Sequence, residues 1–204
     1  MTVATNVVLA GLAFVLGARL GYGAAAQGSA SGSFFGLGMV VGAVAAAFGA
    51  ATHGIDPRVD AAQRERCWRA ALYTLGFATA ATTVSVAFFT ARGWIRTAIL
   101  VAVGFKLLVY LVSVARRPQF RLVAADHVAT LAVLLAAALY AMARWHAAGM
   151  GWLVAGVGVS LIGVLVQVRH VVIHRQFNHN DLYHVIQMLA LYLFFRGGVL
   201  LVDR

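Results

Sequence analysis

Long apolar runs alternate with short polar joints along this chain. Runs of about 20 residues, the length a helix needs to cross the hydrocarbon of a bilayer, stand near 3–22, 34–53, 70–91, 97–115, 122–143, 150–168 and 182–202. Within them the apolar residues are continuous and do not alternate, so they read as buried helices and not as barrel strands. The joints are a Gly/Ser stretch at 27–33 and charged or polar segments at 56–69, 92–96, 116–121, 144–149 and 169–181. None is long enough for a separate domain. The pattern therefore predicts an all-α fold, a seven-transmembrane-helix bundle forming one domain over 1–204. Residues 3–18, followed by Ala24, Ala25 and Ala26, have the outline of a secretory leader, but no basic residue precedes them. They are counted as the first span.

Composition agrees with a chain dissolved in lipid. Hydrophobic residues make up 62% and charged residues 11%, with a mean hydropathy of +0.88. A net charge of +10 would suit nucleic acid, but the arginines sit in joints between apolar runs, where they meet anionic headgroups. No nucleic-acid partner is expected. Cys67 is the single cysteine, which excludes an intrachain disulfide, a thiolate metal cluster and a CxxC redox pair.

One set of joints carries Arg58, Arg64, Arg66, Arg69, Arg116, Arg117, Arg121, Arg169 and Arg175. The opposite set has Arg19, Arg92, Arg96, Arg144 and Arg204. The positive-inside rule then puts the N-terminus inside and the C-terminus outside. Heavy use of Ala, Gly and Arg suggests a GC-rich bacterial genome, and hence a bacterial cytoplasmic membrane. Glycines four apart, Gly17 with Gly21 and Gly38 with Gly42, are expected to let helices approach closely.

The ionisable residues inside these runs carry the candidate chemistry. Six of the seven histidines fall at the inner face by this topology: His53, His127, His170, His174, His179 and His184. Imidazole is a common metal ligand, and ionisable groups within a membrane usually line a cavity or carry function. His170, His174 and His179 flank a basic joint where headgroup contact alone accounts for them. His53, Asp126, His127 and His184 abut apolar sequence and are harder to explain that way. His179 and His184 are five apart, so they can share one ion only if His179 precedes the regular helix. The run Asn178-His179-Asn180-Asp181 is rich in capping residues, and Asp181 can cap the helix, bind an ion or orient His184. Lys106, the only lysine, lies ten residues from Arg96 and from Arg116 and calls for a partner or an aqueous cavity. Tyr110, Tyr183, Tyr192 and Gln187 are potential donors to a substrate.

His53 near the end of the second run and His184 near the start of the seventh resemble the superfamily of seven-helix membrane hydrolases that joins alkaline ceramidases with the progestin and adiponectin receptors. In that family a Ser-x3-His closes the second helix, a His-x3-His opens the seventh, and an acidic residue near the third assists one zinc ion. His53 and His184 match residue by residue. Gly49 stands at the serine position and Asn180 at the first seventh-helix position, with His179 one residue early; Asp56, Asp60 and Glu65 precede the third run. The resemblance implies a zinc-dependent hydrolase of a lipid amide or ester. Its expected metal ligands are His53, His179 and His184, with Asp126 or Asp181 as base or orienting carboxylate and a metal-bound water as nucleophile. Membrane lipids and a lipid-like substrate are the expected partners, and a homo-oligomer is left open. Two other classes remain: a haem or other iron-containing redox protein using imidazoles as axial ligands, and a proton-coupled transporter or channel lined by Lys106, Asp126 and the histidines.

Overall fold

A computed structural model describes residues 1–174 and 177–204, and its regular structure is helical apart from one isolated bridge between His174 and Phe177. The helices are α1 (Thr2–Ala26), α2 (Ala30–Gly54), α3 (Ala61–Thr90), α4 (Gly93–Arg116), α5 (Phe120–Trp145), α6 (Met150–Val168) and α7 (His179–Gly198). Each apolar run has its helix, and capping side chains set several boundaries. Ser29 accepts the Gly32 N–H to start α2. Asp60 accepts from Gln63 N at 2.7 Å and starts α3 at 61 instead of 70, so most of the charged joint is a helical extension carrying an Arg69–Glu65 pair at 2.8 Å.

At α7 a reciprocal capping box fixes the start: the Asn178 side chain accepts from the backbone of Asn180 and Asp181, and Asp181 accepts from Asn178 N. Arg175, part of the expected charge bias, lies outside the described residues.

Helices α1 to α6 are long and apolar enough to cross a membrane, and α7 is not among them. The reason lies in its polar composition, with His179, Asn180, Asp181, His184 and Gln187 in its first half; of these Asp181, His184 and Gln187 are buried inside the bundle. Many large apolar side chains face outward instead, including Val8, Phe14, Val101, Phe105 and Leu108. A water-soluble monomer rarely exposes apolar surface on that scale.

Six helices close a ring in the order α1, α2, α3, α5, α6, α7, and α4 lies outside it against α3 and, lightly, α5. Close approach at the α1–α2 crossing depends on missing side chains: a Cβ on Gly36 would fall 2.5 Å from Gly21 N and 2.7 Å from Gly17 O. The main core joins Leu20, Phe35, Phe89, Leu134, Leu153 and Phe194, which lie in the half of the bundle where α1 ends and α6 begins. That end is also tied by the segment after α7. The Asp203 carboxylate accepts from Ala30 N and Ser31 N, each at 2.8 Å, at the start of α2; Arg96 donates to the Arg204 carbonyl, and Arg204 N to Phe88 O. Burial alone would raise the Asp203 pKa, but hydrogen bonds from the Ser31 hydroxyl and the two amides, with the Arg96 charge, outweigh it and hold the carboxyl below its ordinary value.

Candidate functional site

The opposite half of the ring is hollow. A cavity of about 350 Å³ is bounded by Asn6 of α1, Gly49 and His53 of α2, Gln167 of α6, and Asn180, Tyr183 and His184 of α7. Two smaller lobes of about 170 and 70 Å³ adjoin it, and Leu75 and Tyr183 stand in the walls of all three. The 170 Å³ lobe is mostly apolar, with Leu9, Phe35, Met39, Leu131, Leu134 and Phe194 among its walls. Gly42 lines both larger spaces, and a Cβ there would meet nothing within 4 Å. Unlike Gly17, Gly36 and Gly38, it widens the cavity and seats no neighbouring helix.

His184 is 7% exposed and occupies the polar end. Its Nδ1 lies 2.9 Å from Thr5 Oγ1, and that hydroxyl is also 3.0 Å from Asp181 Oδ1 and 3.1 Å from Thr2 O. Asp181 is fully buried, its other oxygen accepting from Asn178 N at 3.1 Å. His184 Nε2 has no hydrogen-bond partner among the described residues. Across the cavity, Asn180 Oδ1 accepts from Gln167 Nε2 at 2.8 Å, which leaves the Asn180 NH2 group without a partner among those residues.

The remaining candidates divide between supporting networks and the surface. His127 lines the two smaller lobes, its Nε2 3.2 Å from Ser160 Oγ; Ser160 in turn donates to Gln187 Oε1 at 3.0 Å. Lys106 has found its partner. Its Nζ lies 2.6 Å from Asp126 Oδ1, Thr79 donates to Asp126 Oδ2 at 2.5 Å, and Lys106 also donates to Thr79 at 3.1 Å. This triad fastens α4 to α3 and α5 and borders a separate groove of about 390 Å³. Tyr110 spends its hydroxyl on Leu72 O, and Tyr192 accepts from Arg196.

His179 does not meet the condition on which it could share an ion with His184. The helix begins at His179 itself, so five helical positions separate the two and turn them to different faces. His179 Nε2 instead approaches His170 Nδ1 at 3.3 Å, with the rings edge-on, and His174 pairs by its backbone with Phe177. Among the described residues no three His, Cys, Asp or Glu side chains are arranged to hold a metal ion. A catalytic zinc takes three protein ligands. His53 and His184 give two, and at the third position of the resemblance the Asn180 carboxamide is held by Gln167. This donor set does not fit the ion.

The sequence matches DUF6962, a family of unknown function, over residues 1–202. The chain belongs to that family. No curated protein and no solved structure gives a significant match to this DUF6962 chain.

Sequence reasoning missed Thr5, Asn6, Gln167, Thr79 and Ser160. Each is a polar side chain inside an otherwise apolar helix, and that was the available signal. Threonine and serine are weak signals because their hydroxyls can bond their own helix backbone, as Thr52, Thr74 and Thr82 do here.

Proposed function

We propose that this chain is a seven-span integral membrane protein, its N-terminus and His53–His184 site on the cytoplasmic side, that hydrolyses an amide or ester of an amphiphilic lipid by general acid–base chemistry. The observation that carries the reading is the setting of the cavity: two imidazoles and three carboxamides line it, and apolar lobes that share Leu75 and Tyr183 with it lie alongside. A polar head with its scissile bond suits the first part and an alkyl tail the second. In the spans, the buried polar face of α7 is what a helix shielded from lipid by its neighbours requires.

In the proposed reaction His184 takes a proton from water through Nε2 as the water oxygen bonds to the carbonyl carbon. The Asn180 NH2 group donates to the oxygen that gains charge. As the C–N or C–O bond breaks, His53 gives its proton to the departing amine or alkoxide. Exchange with solvent returns the proton from His184 and restores that of His53.

The test is turnover of fluorogenic single-chain lipid amides and esters by protein purified in detergent. Wild type should release product with or without chelator, and His184→Ala and His53→Ala should each lose about 100-fold or more. Loss with chelator and recovery with zinc would return the reaction to metal chemistry; absence of turnover across the panel would overturn the hydrolase reading.

A further inference from the structure

The hydrogen bonds around Thr5 decide which nitrogen of His184 carries its proton. A threonine hydroxyl has one hydrogen to give, and three polar atoms surround it: Thr2 O at 3.1 Å, Asp181 Oδ1 at 3.0 Å and His184 Nδ1 at 2.9 Å. Two of these, the carbonyl and the carboxylate, bring no hydrogen of their own. If Thr5 donated to His184, its lone pairs would face both oxygens with nothing between, in a buried place where such contacts go unscreened. If it donates to one oxygen, only the other oxygen is left facing a lone pair, and His184 Nδ1 supplies the hydrogen in its own contact. Asp181 is the stronger acceptor, and its second oxygen is fixed by Asn178 N.

We propose that Asp181, acting through the Thr5 hydroxyl, holds His184 in the Nδ1–H tautomer and so presents the Nε2 lone pair to the cavity. Thr5 and Asp181 are thus positioning residues, and α1 contributes to the chemistry without a group that touches substrate. The inference concerns the imidazole used above and rests on that reading for its consequence in catalysis. The tautomer itself does not depend on turnover. A relay of carboxylate, hydroxyl and imidazole does here what a carboxylate bonded directly to histidine does elsewhere. Among the described residues no direct hydrogen bond joins Asp181 to His184, and the hydroxyl stands between them.

The deciding experiment is nitrogen NMR of ¹⁵N-histidine-labelled protein in detergent, at a pH where the ring is neutral, with His184 assigned by its disappearance in His184→Gln. Wild type and Thr5→Ser should show the proton on Nδ1. Thr5→Val, which keeps the shape and removes the hydroxyl, should shift the ring toward Nε2–H and lower kcat about 10-fold, with KM little changed and activity retained in Thr5→Ser. An Nε2–H ring in wild type, or a tautomer unchanged by Thr5→Val, overturns the proposal. The wild-type spectrum decides it even if Thr5→Val does not fold. Absent turnover with an Nδ1–H ring would remove the hydrolase and leave the relay.

Discussion

Two carboxylates lie within this bundle, each beside a threonine hydroxyl and a basic side chain, yet they are completed differently. At Asp126 the basic group is an ammonium 2.6 Å away, and Thr79 fills the second oxygen. Charge meets charge, and little is left to act on a third molecule. At Asp181 the hydroxyl stands between carboxylate and imidazole, and the far nitrogen of that imidazole faces a cavity. The first arrangement uses its polar groups to attach a peripheral helix. The second directs them toward an empty space. Similar residue types therefore close a network or leave it open according to whether a polar valence remains unused.

The largest effect that would separate the two sites is on turnover. His184→Ala should lower kcat/KM at least 100-fold while leaving thermal unfolding in detergent close to wild type. A comparable loss from Lys106→Met, in protein of unchanged stability, would break the contrast and assign chemistry to Asp126.

Next in size is stability. Lys106→Met strands the Asp126 carboxylate and should cost about 3 kcal/mol, toward the low end for a broken buried pair because Lys106 keeps about a third of its side chain exposed. The double variant with Asp126→Leu should recover most of that in reversible unfolding from mixed micelles.

Thr79→Val sharpens the comparison further. Removing one hydrogen bond to the carboxylate should destabilise by about 1–2 kcal/mol, and turnover should fall far less than in His184→Ala even though Thr79 also stands in the walls of the two smaller lobes. The smallest effect is expected far from both sites, at Asp203, where Asp203→Asn should cost at most about 1 kcal/mol at neutral pH. Its folded pKa is held below the unfolded value, so its contribution is complete above the unfolded value and fades as pH falls through the folded one. The gap between wild type and variant should accordingly close in acid.

Most of the fold was legible because lipid-length apolar runs and short joints leave few alternatives. The order of the ring and the place of α4 outside it were not legible, although α4 has the highest mean hydropathy of the six long apolar helices, 2.4. Nor did the runs show that the charged joint before α3 continues the helix from Ala61. Of the site, His53 and His184 stood out because imidazole is uncommon in apolar sequence. The grouping of His179 with His184 depended on where one helix begins, and the Asn178 cap set that boundary at His179. Thr5 stayed hidden because its role comes from a partner 179 positions away, and local pattern carries no trace of such a contact.

That separation also has a consequence for synthesis. Helix α1 holds the hydroxyl, and α7, made later, holds the imidazole and the carboxylate. Five helices, α2 to α6, are made between them, and the ring cannot close before α7 follows. Until then Thr5 and Asn6 are polar groups at the edge of an unfinished bundle, and no shorter nascent chain contains the pocket's working end. The bond between Thr5 and His184 therefore has to wait for α7, so its formation reports that the ring has closed.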